Sequence, residues 1–413
     1  MIRGLILAPY PVVHPRHGGQ VHASSHARAL SDAGVQVVSV GIYLETFFPP
    51  GRRGSDDIVL TGQAVRDAAV DQMIFADLMV ARHAASDPGV IAQLREILRR
   101  VRPDFVLVEQ PWCWLPLREA LKTLDQPVIV YSSHNIEWRM RPELYRLGLR
   151  RPGADALVAA THALEMELWR RADLVLSISD LERDEIARAT GRDDIVYVAP
   201  VSDIAEGKVV TDGRFAAQAM SSGIRYAALL GSAYWPNNEG FQEMFSEGLG
   251  FLRPNEEIWI GGELGFAVAA DPRYLDYKTI NDTRMRQVGS INDDEKAQFF
   301  GASHCVIVPV CMGGGSKLKT ADALGSGRAV ISTPHGVEGY GSVIAGALDR
   351  GLYVADSPAE FRRLVIRALR EGLPGCDESI RAVFRQQRLT ETIGPLFRSL
   401  SQRPAAKPEL VVS

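Results

Sequence analysis

The sequence alternates short, wholly apolar runs with longer amphipathic stretches. Six such runs lie within the first 200 residues: GLILA, VQVVSV, FVLVE, PVIVYS, LVLSIS and IVYVAP. Runs that are apolar at every position suit strands buried on both faces, and the stretches between them suit helices that cover a parallel sheet. The pattern therefore predicts a doubly wound α/β domain.

The same pattern starts again after a weakly patterned segment at 201–223, with YAALLGS, EIWIGG, MRQVGS, HCVIVPV, RAVIST and GLYVAD. A chain of 413 residues also exceeds the size at which a single core keeps growing. We therefore predict two Rossmann-like domains of the α/β class. The expected division is 1–203, 204–378, a C-terminal helix over 379–402 that crosses back to the first domain, and a loose tail over 403–413.

Bulk properties exclude several classes of function. The net charge of −4 gives no basic footprint for nucleic acid, so we predict no nucleic-acid partner. The four cysteines are scattered without CxxC spacing, and no apolar run approaches the roughly 18 residues needed to span a bilayer. We predict a cytoplasmic protein with reduced thiols; peripheral contact with the inner membrane face stays open.

The stretch CMGGGSKLKTADALGSG (311–327) has the features of an anion site. It follows the predicted strand HCVIVPV and leads into a predicted helix, so the glycines at 313–315 lie between a strand end and a helix start. Backbone N–H groups and the helix dipole favour a phosphate there, and Lys317 and Lys319 add positive charge. The P-loop and dinucleotide motifs both fail at Leu318, where the first needs Ser or Thr and the second needs Gly.

Asp322 lies six residues beyond Ser316, about 9 Å along a helix. From there a carboxylate can accept hydrogen bonds from two vicinal hydroxyls, as acidic residues do on ribose. A nucleoside diphosphate would span the lysines and this carboxylate. The alternative is a surface loop with an ordinary Lys319–Asp322 helix pair worth about 0.3 kcal/mol. The coincidence of glycines, charges and strand end favours the phosphate site.

Two segments of the first half share this arrangement. Gly18 and Gly19 follow the strand GLILA and open a helix-like stretch, and His134 follows the strand PVIVY. Ligands of open α/β sheets bind at the carboxyl ends of strands, so all three are candidate site residues. Further histidines lie near the glycine pair: His14, His17, His22 and His26. The sequence does not separate ligands from bystanders among them, and without a D-x-D pair we predict no metal site.

A series of segments resembles the retaining nucleotide-sugar glycosyltransferases of GT-B fold, glycosyltransferase group 1 (family 4): PYPxxxxxxGG, SSHNIE, RRADLVLSISDLERDEI, LLGSAYWPNNEGF, MRQVGSINDDE and VPVCMGGGSKLKTADALGSGRAVISTPHGVEGY. The similarity runs over nearly the whole chain, and the last segment is the most specific. The resemblance implies that the C-terminal domain binds the nucleotide sugar and the N-terminal domain binds the acceptor. It also implies that the cleft between the domains closes for reaction.

The resemblance also assigns roles to individual residues. It implies that Gly19, His134 and Lys319 act in catalysis, at the transferred sugar and the diphosphate. The other positions would bind the nucleotide sugar: Gly18, Gly289, Ser290, Ile291, Gly314, Gly315, Ser316, Lys317 and Asp322. Two departures matter. Gly314 replaces the first of two family glutamates, and GSAYWPNNEG lacks the Arg and Lys of many members. Diphosphate neutralisation would then fall on Lys317, Lys319 and the helix dipole.

We therefore predict a retaining, metal-independent hexosyltransferase. It would move a sugar from a UDP- or GDP-linked donor to a hydroxyl of a sugar or lipid-linked glycan, in glycan, polysaccharide or glycoconjugate biosynthesis. No cofactor is expected besides the donor substrate. Two alternatives remain on the same scaffold: a nucleotide-sugar epimerase, and a non-catalytic nucleotide-binding subunit, which the missing glutamate would fit.

Overall fold

The computed structural model describes residues 1–71, 75–140, 153–313, 317–348 and 350–400. These residues form two compact units. The first unit contains Met1–Val198 together with the segment that starts at Leu389, and the second contains Ala199–Arg388. The tail expected to be loose, 403–413, lies outside the described residues.

A parallel sheet forms the centre of the first unit. Its strands are β1 (Arg3–Ala8), β2 (Gln36–Leu44), β3 (Ile58–Leu60), β4 (Phe105–Glu109), β5 (Val128–Ser133), β6 (Leu174–Ser177) and β7 (Ile195–Tyr197). They are arranged in the order β3-β2-β1-β4-β5-β6-β7, with parallel pairing throughout. All except β3 coincide with predicted apolar runs. The strand β3 was missed because three apolar residues carry no periodic signal.

Helices connect these strands: α1 (Gly18–Asp32), α2 (Gln63–Asp71), α3 (Ala76–Ser86), α4 (Pro88–Val101), α5 (Trp114–Leu121), α6 (Ala154–Arg171) and α7 (Asp180–Thr190). The sequence of α4 shows why they form. The Asp87 side chain accepts hydrogen bonds from the N–H groups of Gly89 and Val90, and Pro88 occupies the first turn. Its buried residues recur on one face, which packs on the unit's core: Val90, Ile91, Leu94, Ile97 and Leu98.

The second unit repeats the architecture. Its strands are β8 (Arg225–Leu230), β9 (Glu256–Gly261), β10 (Met285–Gly289), β11 (Cys305–Val308), β12 (Ala329–Ser332) and β13 (Leu352–Val354). They pair in parallel in the order β10-β9-β8-β11-β12-β13. All of them coincide with predicted runs, so the prediction of two Rossmann-like parallel-sheet domains is confirmed.

The helices of the second unit are α8 (Asp203–Glu206), α9 (Arg214–Ser222), α10 (Trp235–Met244), α11 (Leu264–Ala270), α12 (Pro272–Leu275), α13 (Lys278–Asn281), α14 (Asp293–Gly301), α15 (Leu318–Gly325), α16 (Gly341–Ile344), α17 (Pro358–Arg370) and α18 (Glu378–Val383). Most are short amphipathic elements between consecutive strands. In the part of the chain that the structure describes, no helix combines the length and hydropathy that crossing a bilayer requires.

The C-terminal segment differs from the single helix expected over 379–402. A break at Phe384 separates α18 from α19 (Gln386–Leu400): the Phe384 carbonyl accepts from the N–H of Ser202 at 2.9 Å, and its side chain is fully buried in the core of the second unit. Farther along α19, the Phe397 ring packs edge-on against Phe105 of β4 with centroids 4.5 Å apart. The Arg398 guanidinium donates to the Ala33 carbonyl at 3.1 Å. The last helix therefore packs on the first unit.

Each sheet contains one point at which the strand order reverses. It lies between β1 and β4 in the first unit and between β8 and β11 in the second. Two successive crossovers leave in opposite directions at such a point, which opens a crevice outside the carboxyl ends of the strands. The fold therefore predicts one ligand-binding edge in each unit.

The four cysteines carry free thiols in this structure. Cys113, Cys305 and Cys376 are buried, and Cys311 is partly buried. Burial raises the pKa of the Cys305 thiol to about 12, so this group stays protonated at neutral pH. These side chains act as small core residues.

The contact between α10 and the end of β11 leads to a stability prediction. A Cβ atom on Gly240 would lie 1.7 Å from the Pro309 carbonyl oxygen, so only glycine fits there. We expect Gly240→Ala to lower the free energy of unfolding of the second unit by about 3 kcal/mol, because overpacking forces the helix off the sheet. Gly250→Ala is the control, since its new Cβ would meet nothing closer than 3.9 Å. Urea denaturation followed by circular dichroism measures both, and equal stabilities would contradict the prediction.

Candidate functional site

Four polar side chains meet at the reversal point of the first unit. We call them the histidine cluster: His22, His26, Glu109 and His134. His22 and His26 lie one turn apart on α1, Glu109 ends β4, and His134 directly follows β5. All four side chains are buried, with exposed fractions between 0 % and 7 %. The fold thus places titratable groups from three elements in one apolar environment.

The Glu109 carboxylate holds the cluster together. Its Oε1 lies 2.7 Å from Nδ1 of His26, and its Oε2 lies 2.7 Å from Nε2 of His134. Because a carboxylate only accepts hydrogen bonds, each facing ring nitrogen carries a proton. Burial raises the pKa of Glu109, but attraction to His26 and the hydrogen bonds from both rings outweigh it. The net pKa of Glu109 lies well below its usual range, so the group is ionised at neutral pH.

His134 has protein partners on both ring nitrogens. Its Nδ1 lies 3.4 Å from the Tyr10 hydroxyl, opposite the contact with Glu109. Only 5 % of the residue is exposed. A ligand therefore reaches Nδ1 only by displacing Tyr10, and the expected contact of His134 with a donor sugar stays a prediction.

His22 is neutral within this cluster. Burial lowers the pKa of His22 well below its usual range, and the neighbouring His26 and His134 lower it further. Its ring packs edge-on against His26 and His134, with centroids 4.3 and 4.7 Å apart. Among the described contacts, the buried Nε2 atom of His22 has no hydrogen-bond partner.

Gly18 and Gly19 are the first two residues of α1. A Cβ atom on Gly19 would lie 2.8 Å from the Tyr10 hydroxyl, so the packing of Tyr10 by itself accounts for a glycine there. His17 caps the helix, since its Nδ1 accepts from the N–H of Gln20 at 3.4 Å. The predicted role of the two glycines at donor phosphates stays a prediction.

At the reversal point of the second unit, two lysines begin α15. Lys317 is the N-cap residue of α15, and its Nζ lies 3.4 Å from Oε2 of Glu338. Lys319, in the first turn, donates to Oδ1 of Asn237 in the first turn of α10. The lysines follow β11, the strand that the sequence predicted before them, and Asn237 follows β8. Gly314, Gly315 and Ser316 lie outside the described residues.

The environment of Lys319 suits an anionic ligand. Burial, followed by repulsion from Lys317, lowers the pKa of Lys319 to about 8. Its described hydrogen-bond partner is a neutral amide, which does not balance an ammonium charge. A phosphate group at this position would supply the missing negative charge.

Asp322 lies in the second turn of α15 and is almost fully buried. Its Oδ1 accepts from the Ser202 hydroxyl at 2.6 Å, and its Oδ2 lies 3.5 Å from Nζ of Lys296. Burial raises the pKa of Asp322, although Lys296 and Ser202 oppose the increase. Lys319 and Asp322 thus have separate partners and do not form the simple helix pair considered above. Ribose binding by Asp322 stays a prediction.

The segment 289–291 begins at the last residue of β10, at the same edge of the sheet. Gly289 has a φ of +76°, a conformation that favours glycine. Ser290 donates to Oε1 of Glu263 at 3.2 Å, and the partly buried Ile291 side chain packs against the core. Ile291 thus has a packing role in this unit, and the predicted position of Gly289, Ser290 and Ile291 beside a base stays a prediction.

Several polar partners were not predicted from the sequence: Glu109, Ser202, Asn237, Glu263 and Lys296. A usable signal existed for Glu109, which is the one charge in FVLVE, while His22 and His26 have helical i, i+4 spacing. Contacts such as Lys319–Asn237 carry no such signal, because they join elements far apart in the chain.

Known proteins share this architecture. Residues 16–205 match the family model described as Glycosyltransferase Family 4. No curated protein matches the sequence. Sucrose-phosphate synthase from Thermosynechococcus elongatus superimposes with a TM-score of 0.69 at 13 % identity, covering 97 % of this chain and 99 % of that chain. HepE from Anabaena in complex with UDP gives 0.68 at 12 % identity, covering 96 % and 100 %.

A third structure is the catalytic domain of starch synthase IV from Arabidopsis thaliana, bound to ADP and acarbose. Its TM-score is 0.59 at 12 % identity, covering 97 % of this chain and 99 % of that chain. The chain has the GT-B fold. At these identities the likeness establishes architecture, and the chemistry has to be argued from the side chains at the two edges.

The Glu109 contacts lead to a prediction for the first unit. Glu109→Gln replaces a group that accepts from two rings by an amide with one oxygen, so one buried N–H group loses its acceptor. We expect the free energy of unfolding to fall by about 2 kcal/mol. The control is Glu119→Gln, which removes a partly exposed carboxylate paired with Lys122 and should cost less than about 1 kcal/mol. Chemical denaturation compares them, and equal losses would contradict the assigned geometry.

Proposed function

We propose that the protein is a glycosyltransferase that moves a sugar from a nucleoside diphosphate donor to an acceptor hydroxyl. The family match over 16–205 and the GT-B fold support this class of reaction. Solved structures of HepE, which has the same fold, contain UDP and UDP-glucose. A UDP-linked sugar is therefore the first donor to test, with GDP- and ADP-linked sugars as alternatives.

The lysine pair at the start of α15 carries this proposal. Lys319 is a half-buried ammonium with a neutral described partner, at the strand edge where open sheets bind ligands. The first-turn N–H groups of α15 add partial positive charge, and the Lys317 side chain does not cap them. A diphosphate is the group that satisfies both features.

The reaction follows from this electrostatic arrangement. As the bond between the anomeric carbon and the phosphate oxygen breaks, negative charge develops on the leaving diphosphate. Lys317, Lys319 and the α15 N–H groups would stabilise that charge, and a single preorganised donor is typically worth about 3 kcal/mol in the barrier. The acceptor oxygen forms the new bond to the anomeric carbon.

We further propose that transfer proceeds with retention of configuration. The acceptor attacks the face that the diphosphate leaves, and its proton passes to the leaving phosphate, so no strong protein base is needed. The lysines take the place of a metal ion on the diphosphate. We propose a sugar or lipid-linked glycan hydroxyl as the acceptor, in glycan biosynthesis, with the first unit binding it.

Sugar transfer is tested with the purified protein, nucleotide-linked hexoses and a panel of saccharide acceptors. We expect nucleoside diphosphate release and a glycoside with the anomeric configuration of the donor, measured by NMR. Lys319→Ala and Asp322→Ala should each weaken UDP binding about tenfold or more in calorimetry, because each removes a charged hydrogen-bonding group. Lys278→Ala, which removes an exposed lysine paired with Asp282, is the matched control.

Three outcomes would contradict the proposal. Unchanged UDP affinity in both site variants would refute the location of the donor site. A donor that isomerises without an acceptor would indicate an epimerase. Unaltered donor across the whole acceptor panel, despite measurable nucleotide binding, would indicate a non-catalytic nucleotide-binding protein.

The lowered pKa of Lys319 predicts a specific pH dependence of binding. In the protein without ligand, the pKa of Lys319 is about 8. A bound diphosphate stabilises the ammonium form and raises that pKa. Binding near pH 8.5 should therefore take up protons, and UDP affinity should fall as the pH rises through about 8 to 9.5. Calorimetry in two buffers of different ionisation enthalpy measures the uptake. Lys319→Ala should abolish it, and a wild-type affinity that is constant over this range would contradict the assignment.

A further inference from the structure

We propose that the histidine cluster of the first unit is a binding site for a divalent transition-metal ion of the zinc type, with His22, Glu109 and His134 as ligands. The proposal concerns the first unit alone and does not depend on the proposed sugar transfer. It also departs from the sequence analysis, which predicted no metal site.

The geometry of the three side chains fits a single ion. Each offers one ligand atom, and the three atoms all lie within 4.8 Å of one another. Metal–ligand distances of about 2.0–2.2 Å place the ligand atoms of a tetrahedral ion roughly 3.3 Å apart. The contact of 2.7 Å between Glu109 Oε2 and His134 Nε2 has to widen slightly, and the His22 ring has to move inward.

His22 gives independent evidence for a ligand. Its Nε2 is buried and has no hydrogen-bond partner among the described contacts. A buried polar atom without a partner costs about 1–3 kcal/mol, which a purely structural histidine would have to bear. With the ring proton on Nδ1, Nε2 would donate its lone pair to a metal ion, which removes that cost.

The chemistry of the donor set agrees with the geometry. Two imidazoles and one carboxylate are a common ligand set for Zn²⁺ sites that keep a fourth position open. Glu109 supplies one negative charge, so the ion with its ligands carries a net charge of +1. The fourth position is left for a water or for the oxygen of a bound molecule.

The remaining contacts provide a supporting shell for these ligands. His26 keeps its Nδ1–H on Oε1 of Glu109, which leaves Oε2 for the ion. The proton now on Nε2 of His134 moves to Nδ1, where the Tyr10 oxygen lies 3.4 Å away and can accept it. The ring stays neutral through this change of tautomer, so no proton is lost to solvent. Second-shell partners of this kind orient ligands and fix their tautomers.

The test is a metal titration of the full chain after dialysis against a chelator. We expect one Zn²⁺ per chain by calorimetry, an increase in thermal stability, and the visible absorption of tetrahedral Co²⁺ when cobalt is used as the probe. His22→Gln should weaken binding by about 100-fold or more without unfolding the protein, since its Nε2 makes no described hydrogen bond. His26→Gln should weaken binding by about 10-fold to 100-fold, because it removes a supporting contact.

The matched control is His304→Gln, the same substitution at an exposed histidine of the second unit. It should bind Zn²⁺ as the wild type does. Failure of the wild-type protein to bind either ion would overturn the proposal and leave the cluster a hydrogen-bonded core network. Equal binding by wild type and His22→Gln would overturn it as well. Neither donor nor acceptor is present, so these results do not depend on whether the protein transfers sugars.

Discussion

Burial of a parallel sheet on both faces is the constraint on which the rest of this structure depends. It requires strands that are apolar at every position, so polar side chains are accommodated only at the ends of the strands. The consequence is visible in both units. Glu109 and Gly289 are the last residues of their strands, and His134 directly follows one, where the chain leaves the core. The candidate functional side chains therefore lie at the carboxyl edges of the two sheets.

Each edge contains a buried carboxylate that needs partners. Glu109 obtains two imidazoles, and Asp322 obtains the Ser202 hydroxyl and the Lys296 ammonium. The outcomes differ because the partners differ: the pKa of Glu109 falls well below its usual range, whereas that of Asp322 rises. Lys319 is the complementary case, a cation whose described partner is neutral. A ligand of opposite charge is expected next to a side chain whose charge is incompletely balanced in this way.

The sequence predicted strands better than it predicted contacts. Every apolar run forms a strand, because burial on two faces requires consecutive apolar residues, and such a run can be recognised without knowing its tertiary contacts. The short strand β3 and the break at Phe384 were missed, because one is too short for a periodic signal and the other depends on a core contact. In the second unit, the sequence predicted the strand and the helix on either side of the lysines, but it did not predict their partners Asn237 and Glu338.

What the sequence determined by itself is the architecture: two doubly wound sheets and the segments that leave them at their carboxyl ends. This information is local, because hydrophobic periodicity and the order of strands and helices depend on residues that are close together in the chain. The tertiary structure decided which side chains meet there. His26 and Glu109 are 83 positions apart, and Ser202 and Asp322 are 120 apart, so their hydrogen bonds exist only once the sheets have assembled. Burial and these partners together then set the pKa values of Glu109 and Asp322, because both depend on the elements packed around each carboxyl group.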